Sequence, residues 1–326
     1  MAFTAKRTLL LPLALAATLI GGLGLATAAN TPMSALVQTT LPFTGLDQPR
    51  GVAVDKFGNT LVGDKNKVVR LTPDGTQSVL PFAGLTAIHD VVVDDEGNTI
   101  ATGYVNGFSG VVRLSPDGTQ TTLLSFAQGL AGPFAVAVDH SGNTIIAASL
   151  SDRVVRISPE GVQSVLPFNG LKGPVSVAVD SAGNVLVGDL NNHRIVRLSP
   201  EGVQTVMPFT DLYWPYGVAV DGSGNTIATD YMNNRVVRLS ADGIQTVLPF
   251  TGLAGPHNVA IDAAGTTTVT DFGNNRVVRL SPSPTTPTTT AGPTTTPTTT
   301  AGPTTTPAPT TTSITGKPVP AGSSGS

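Results

Sequence analysis

Along the middle of the chain, apolar residues come in short alternating runs and never in long helical stripes. One stretch shows the pattern in full: SVAVD (176–180), NVLVGD (184–189), RIVRL (194–198) and VQTVMPF (203–209). Each run is rich in Val, Ile, Leu or Thr, and alternation with period two is the signature of a half-buried β-strand. Between the runs stand SAGN, LNNH and SPEG, which place Gly or Asn where a positive φ is easiest. No window carries a sustained 3.6-residue period. The pattern predicts four short antiparallel strands joined by tight turns.

The same four runs then recur. VAVD-type runs end at Asp55, Asp94, Asp139, Asp180, Asp221 and Asp262, with spacings of 39, 45, 41, 41 and 41 residues. VVRL-type runs carry Arg70, Arg113, Arg156, Arg197, Arg238 and Arg279 at matching places. A period near 41 residues with four strands per unit predicts an all-β fold, a six-bladed β-propeller of four-stranded antiparallel blades. The sixth unit stops after its third run, RVVRL (276–280), while a spare copy of the fourth run, VQTTLPF (37–43), stands before the first unit. This N-terminal strand, from Val37 to Phe43, is therefore expected to pair beside 276–280 and close the last blade. The recurring LPF reads as a proline placed in each exposed edge strand, where it blocks further pairing. Phe43, Phe82, Phe126, Phe168, Phe209 and Phe250 are expected to fill the spaces between neighbouring blades.

The run GxVAVDxxGNxLVxDxxNNRVVRL resembles the NHL repeat. It is most similar to the extracellular sensor propeller of actinobacterial receptor-type Ser/Thr kinases, through VAVDSAGN (177–184), NNRVV (233–237) and VLPFTGL (247–253). The resemblance spans residues 36–281 and departs in one respect: neither a kinase domain nor a transmembrane helix follows the leader. It implies an exported recognition module without a signalling output.

The ends change the picture of where the protein works. Lys6 and Arg7 precede an apolar run from Leu9 to about Leu25 and the small-residue site Ala26-Thr27-Ala28. These are the parts of a secretory signal peptide, assigned to 1–28, so a secreted or cell-envelope protein with no membrane span after cleavage is expected. Residues 36–281 form the propeller, and 283–326 read as a disordered Pro/Thr-rich tail, a semi-rigid spacer suited to O-glycosylation. The chain has no cysteine, so its core alone must stabilise an exported domain. Its formal net charge of −3 becomes about −5 once Lys6 and Arg7 are removed. Without a basic stripe, nucleic acid is not expected as a partner. The protein is expected to be a monomer.

One rim of such a propeller breaks the repeat. Five positions before each landmark Asp stand Arg50, His89, Phe134, Val175, Tyr216 and His257, circling the channel mouth. Tyr104, Tyr213, Trp214, Tyr231 and Phe272, with Phe108, are expected in loops of the same rim. The segment Tyr213-Trp214-Pro215-Tyr216 stands where other units have AGP or KGP. Variable aromatics on a repeated scaffold are what grafted contacts look like. The opposite rim carries repeated turns such as DSAGN and DDEGN; the second could suggest calcium but lacks a bidentate Glu. Asp189, Asp230 and Asp271 with Arg194, Arg235 and Arg276 recur by unit, so a local structural network is expected there. Taken together, the sequence favours recognition of an extracellular or envelope protein, peptide or glycan through the aromatic rim. The alternative is a metal-dependent lyase or hydrolase at the channel mouth, built on His89 and His257. Against it, Glu96, Glu160 and Glu201 fall on the turn rim, and no serine has an evident base. No catalytic residue, metal ligand or cofactor is assigned.

Overall fold

The computed structural model describes residues 36–125 and 131–283; the proposed leader (1–28), the tail beyond Ser283 and Phe126 lie outside them. Six four-stranded antiparallel sheets form the six blades of a β-propeller. Blade 4 is representative, with strands Pro174–Val179, Val185–Asp189, Arg194–Leu198 and Gln204–Val206 in that order from the axis outward. Burial follows position in the blade. The second strand, Val185–Asp189, is buried at every residue, because both of its faces meet neighbouring blades. The third, Arg194–Leu198, alternates more openly, and Gln204–Val206 is largely exposed.

The core is divided into clusters shared by adjacent blades. Ala135, Ile145 and Val154 of blade 3 pack with Val177, Val187 and Val196 of blade 4, and Phe168 closes that cluster from outside. Phe82, Phe209, Phe250 and Phe43 occupy the equivalent places. Each ring lies between two blades, as the repeat predicted.

The last blade is split. Leu36–Thr40 pairs antiparallel with Arg276–Pro282, in the register Leu36 to Pro282 through Thr40 to Val278. The strand is shorter than the 37–43 read from sequence. Leu41 N–H still donates to Val277 O at 2.9 Å, and the chain then turns. The same correction holds in every blade where the segment is described. Phe168 N–H reaches back to Leu166 O at 2.8 Å across Pro167, a three-residue turn centred on proline. Proline therefore ends the edge strand instead of lying within it.

A device that the sequence analysis missed ties the outer strands together. Gln77 accepts from Thr44 N–H (2.8 Å) and donates to Thr44 O (3.1 Å). Gln120 does the same with Ala83, Gln204 with Asn169 and Gln245 with Thr210. Gln38, on the N-terminal strand, holds Thr251 in this way at 2.7 and 3.1 Å. Each glutamine clips its edge strand to the segment after the preceding blade's proline turn.

Candidate functional site

The rim on which the first strands begin is built from repeated parts that hold unrepeated side chains. Asp230 is fully buried and receives Arg235 Nε–H at 2.7 Å, Asn233 Nδ2–H and the N–H of Tyr213 at 2.8 Å. Arg235 also donates to Asp211 O at 2.8 Å. Asp189 with Arg194 and Asp271 with Arg276 repeat the arrangement at 2.7 Å. These are the expected structural networks. They fix the backbone of the loops that carry the aromatic residues, including the short 3-10 turns Tyr231–Asn233 and Phe272–Asn274.

Apart from Val175 and Phe108, the sequence-predicted rim residues join one network of ring contacts. From the outside inward, Tyr213 stacks on Trp214 (centroids 5.9 Å apart, planes within 6°), and Trp214 meets Tyr231 at 6.3 Å. Tyr231 contacts Tyr216 at 4.9 Å, and Tyr216 stacks on His257 at 4.5 Å. Phe134 touches Tyr216, His257 and His89 at 6.0, 5.9 and 4.6 Å. Tyr104 joins through His89 at 6.4 Å and Phe272 through His257 at 5.7 Å. Arg50 lies 5.8 Å over the Phe272 ring and donates from Nη1 to His89 Nδ1 at 3.0 Å. Phe134, Tyr216 and His257 come from blades 3, 5 and 6, so these contacts join rings from blades that are not all neighbours. His193, which the sequence pattern did not single out, extends the network outward by stacking on Tyr213 at 4.4 Å.

Two placements differ from expectation. Tyr104 and Phe108 lie at the ends of strands Thr99–Val105 and Phe108–Leu114, not in a loop. Asn106 and Gly107, at φ of 50° and 85°, make the tight hairpin turn between them. Val175, at the equivalent ring position of blade 4, is buried.

Beneath the rings lies a polar clamp. Asp90, buried, accepts Asn258 Nδ2–H of blade 6 at 2.7 Å, its neighbour Val91 N–H at 2.8 Å and Val136 N–H of blade 3 at 3.0 Å. Burial pushes the Asp90 carboxyl up to about 7, against the lowering effect of these three donors. Gly51 stands beside it because a Cβ there would come within 2.5 Å of Asp90 Cα. Both rim histidines are held neutral. Burial, helped by the Arg50 charge, lowers His89 to about 4. The same causes, with His89 added, lower His257 to about 3. His257 is 5% exposed, and its Nδ1 has no hydrogen-bond partner.

The opposite rim is turn chemistry. Asp180 Oδ1 accepts the N–H groups of Ala182 and Asn184 at 3.0 and 2.9 Å. In the acidic turn, Asp94 likewise accepts from Asn98 N–H and Nδ2–H at 2.8 and 2.7 Å. Its carboxylate shapes the turn. Among the described residues, no group of three or more His, Cys, Asp or Glu side chains is gathered as a metal site.

Comparison with known proteins follows the same lines. Residues 171–198 match the NHL repeat family model. They cover part of one unit, from the end of blade 3's outer segment through the third strand of blade 4. No curated protein matches the chain. Among solved structures, a gluconolactonase from Xanthomonas campestris is 17% identical, covering 77% of this chain and 91% of that one, with a TM-score of 0.63. An inactive virginiamycin B lyase variant from Staphylococcus aureus, solved with quinupristin, is 17% identical over 77% and 90%, with a TM-score of 0.59. A chain of the nidogen/laminin complex is 22% identical over 68% and 88%, with a TM-score of 0.61. At these identities the likeness is one of fold.

Proposed function

We propose that this propeller is an exported recognition module that binds its ligand, a protein, peptide or glycan, on the ring-lined channel mouth. The observation that carries the reading is the single aromatic network: side chains from five blades converge on one face, while the opposite rim consists of repeated turns. Aromatic groups with polar tips are the usual anchors of interfaces and sugar sites. A propeller from the nidogen/laminin complex and two enzyme propellers share the fold, so fold alone favours neither binding nor catalysis. Resemblance to a kinase sensor supports the extracellular setting. The expected leader supports placement outside the cell or in its envelope.

The enzymatic reading has His89 and His257 at the mouth, yet their surroundings suit a metal poorly. Arg50 occupies His89 Nδ1, and its positive charge would repel a dication held there. Zinc in a catalytic site takes three protein ligands at close range. Both imidazoles instead stack on Phe134.

The test is direct binding. Labelled full-length protein applied to peptide and glycan arrays should select a restricted set of ligands. Uniform weak adhesion, or none, would contradict the proposal.

A further inference from the structure

Arg50 has a cation's worth of donors and almost nothing to give them to. Among the described residues its side chain has one polar partner, an imidazole nitrogen, and Phe272 covers one face of the guanidinium. Three other arginines of this rim are paired: Arg194, Arg235 and Arg276 each reach a buried carboxylate at 2.7 Å, while Arg153, their counterpart in blade 3, is exposed. Arg50 makes no ion pair among the described residues. The nearby acids are committed elsewhere. Asp47, in the same loop, pairs with Lys65 at 3.0 Å, and Asp90 sits below with three donors already on its carboxylate.

Holding a guanidinium here has costs visible in the structure. It sits beside two histidines whose protonated forms it disfavours. His89 presents an acceptor at Nδ1, which makes it a neutral ring with its proton on Nε2 and orients the guanidinium. Guanidinium carries five N–H donors in a planar fork, the shape that binds carboxylate in two parallel bonds. The neighbouring His257 is buried, with no hydrogen-bond partner at Nδ1.

We propose that the channel mouth takes a carboxylate borne on a planar or apolar group. The carboxylate forks onto Arg50, and the attached group stacks among Phe134, Tyr216 and Phe272. Small aromatic acids and peptide C-termini share this chemistry. The assignment rests on the proposed role of this face in recognition and narrows it to a ligand class.

The experiment is calorimetric titration of the full chain at pH 7 with two acids, phenylacetate and acetyl-Gly-Gly-Phe with a free C-terminus, and with their primary amides. At least one acid should bind about tenfold more tightly than its amide, as expected for a charge-assisted pair. Which acid does so identifies the source of the carboxylate. Arg50→Gln should bring that ratio close to one, and Arg50→Lys should keep part of it. If Arg50→Gln does not fold, the acid-to-amide ratio of the parent protein decides alone. Equal binding of acid and amide, lost in Phe134→Ala, would overturn the carboxylate assignment and leave the recognition face standing. No binding by any of the four probes would overturn the carboxylate assignment, and the arrays would then judge the face independently.

Discussion

Trp214 holds a φ of 58° at a position where Gly132, Gly173 and Gly255 hold 65°, 61° and 58°. The left-handed conformation costs a side-chain-bearing residue about 1–2 kcal/mol, and glycine avoids the cost. Blade 5 shares this cost with blades 1 and 2, where Gln48 and Ala87 hold 59° and 45°, and sets an indole there beside Tyr213 and Tyr231. Trp214→Gly should melt at or above the temperature of Trp214→Ala, because alanine keeps the strain without the ring. A lower melting temperature for the glycine variant would show that Trp214 is there for packing. The buried titratable groups make a second residue-scale prediction, with opposing signs. His89 and His257 are depressed from 6.5 to about 4 and about 3, so their contribution is present above pH 6.5 and lost as pH falls toward those values. Asp90 is raised from 3.8 to about 7, so its contribution is present below 3.8 and lost as pH rises through 7. Between pH 4 and 6.5 the two effects partly cancel. Asp90→Asn should remove the carboxyl effect, and its melting temperature should then fall more steeply on acidification than that of the parent. Parallel curves would show that the Asp90 carboxyl does not titrate differently in the fold. In the sequence these residues were visible as departures from the repeat, at ring positions counted back from each Asp. Their mutual contacts were not, because which rings meet between blades depends on side-chain length and tilt.

At the scale of elements, periodicity was enough to place the strands, since each blade buries alternate faces and punctuates them with glycine turns. Edge strands were read too long. The apolar Leu and Phe around each proline look like strand in sequence, yet they are buried as a turn that plugs the gap between blades. The glutamine clips were legible in principle as the repeated Gln of VQSV and VQTV. They escaped notice because an exposed polar residue on an edge strand needs no explanation by itself. Closure through Leu36–Thr40 depends on both ladder pairing and the Gln38 clip to Thr251. Gln38→Ala should lower stability by about 1 kcal/mol, the net worth of a lost hydrogen-bond pair at an exposed site. Deleting residues 36–43 should do far more, exposing the edge of Arg276–Pro282 and producing aggregation measurable by light scattering. A monomeric deletion variant with an unchanged melting temperature would contradict closure by the N-terminal strand.

At the scale of the whole molecule, six near-equivalent blades generate two unequal faces. One repeats an Asp-led turn from blade to blade and exposes Phe57, at 71%, along with Val162, Val203 and Ile244. The other concentrates the rings, two neutral histidines and an unpaired arginine. The repeated scaffold sets the backbone of both faces, and the unrepeated side chains on the ring-lined one are the basis of the recognition role proposed for it. The measurement that tests this most directly compares the two faces in one assay. Ligands selected by the parent protein on peptide and glycan arrays should be lost by Tyr216→Ala and retained by Phe57→Ala, with both variants melting as cooperatively as the parent. Binding that survives Tyr216→Ala, or that is lost with Phe57→Ala, would place recognition elsewhere and contradict the assignment of the ring-lined mouth.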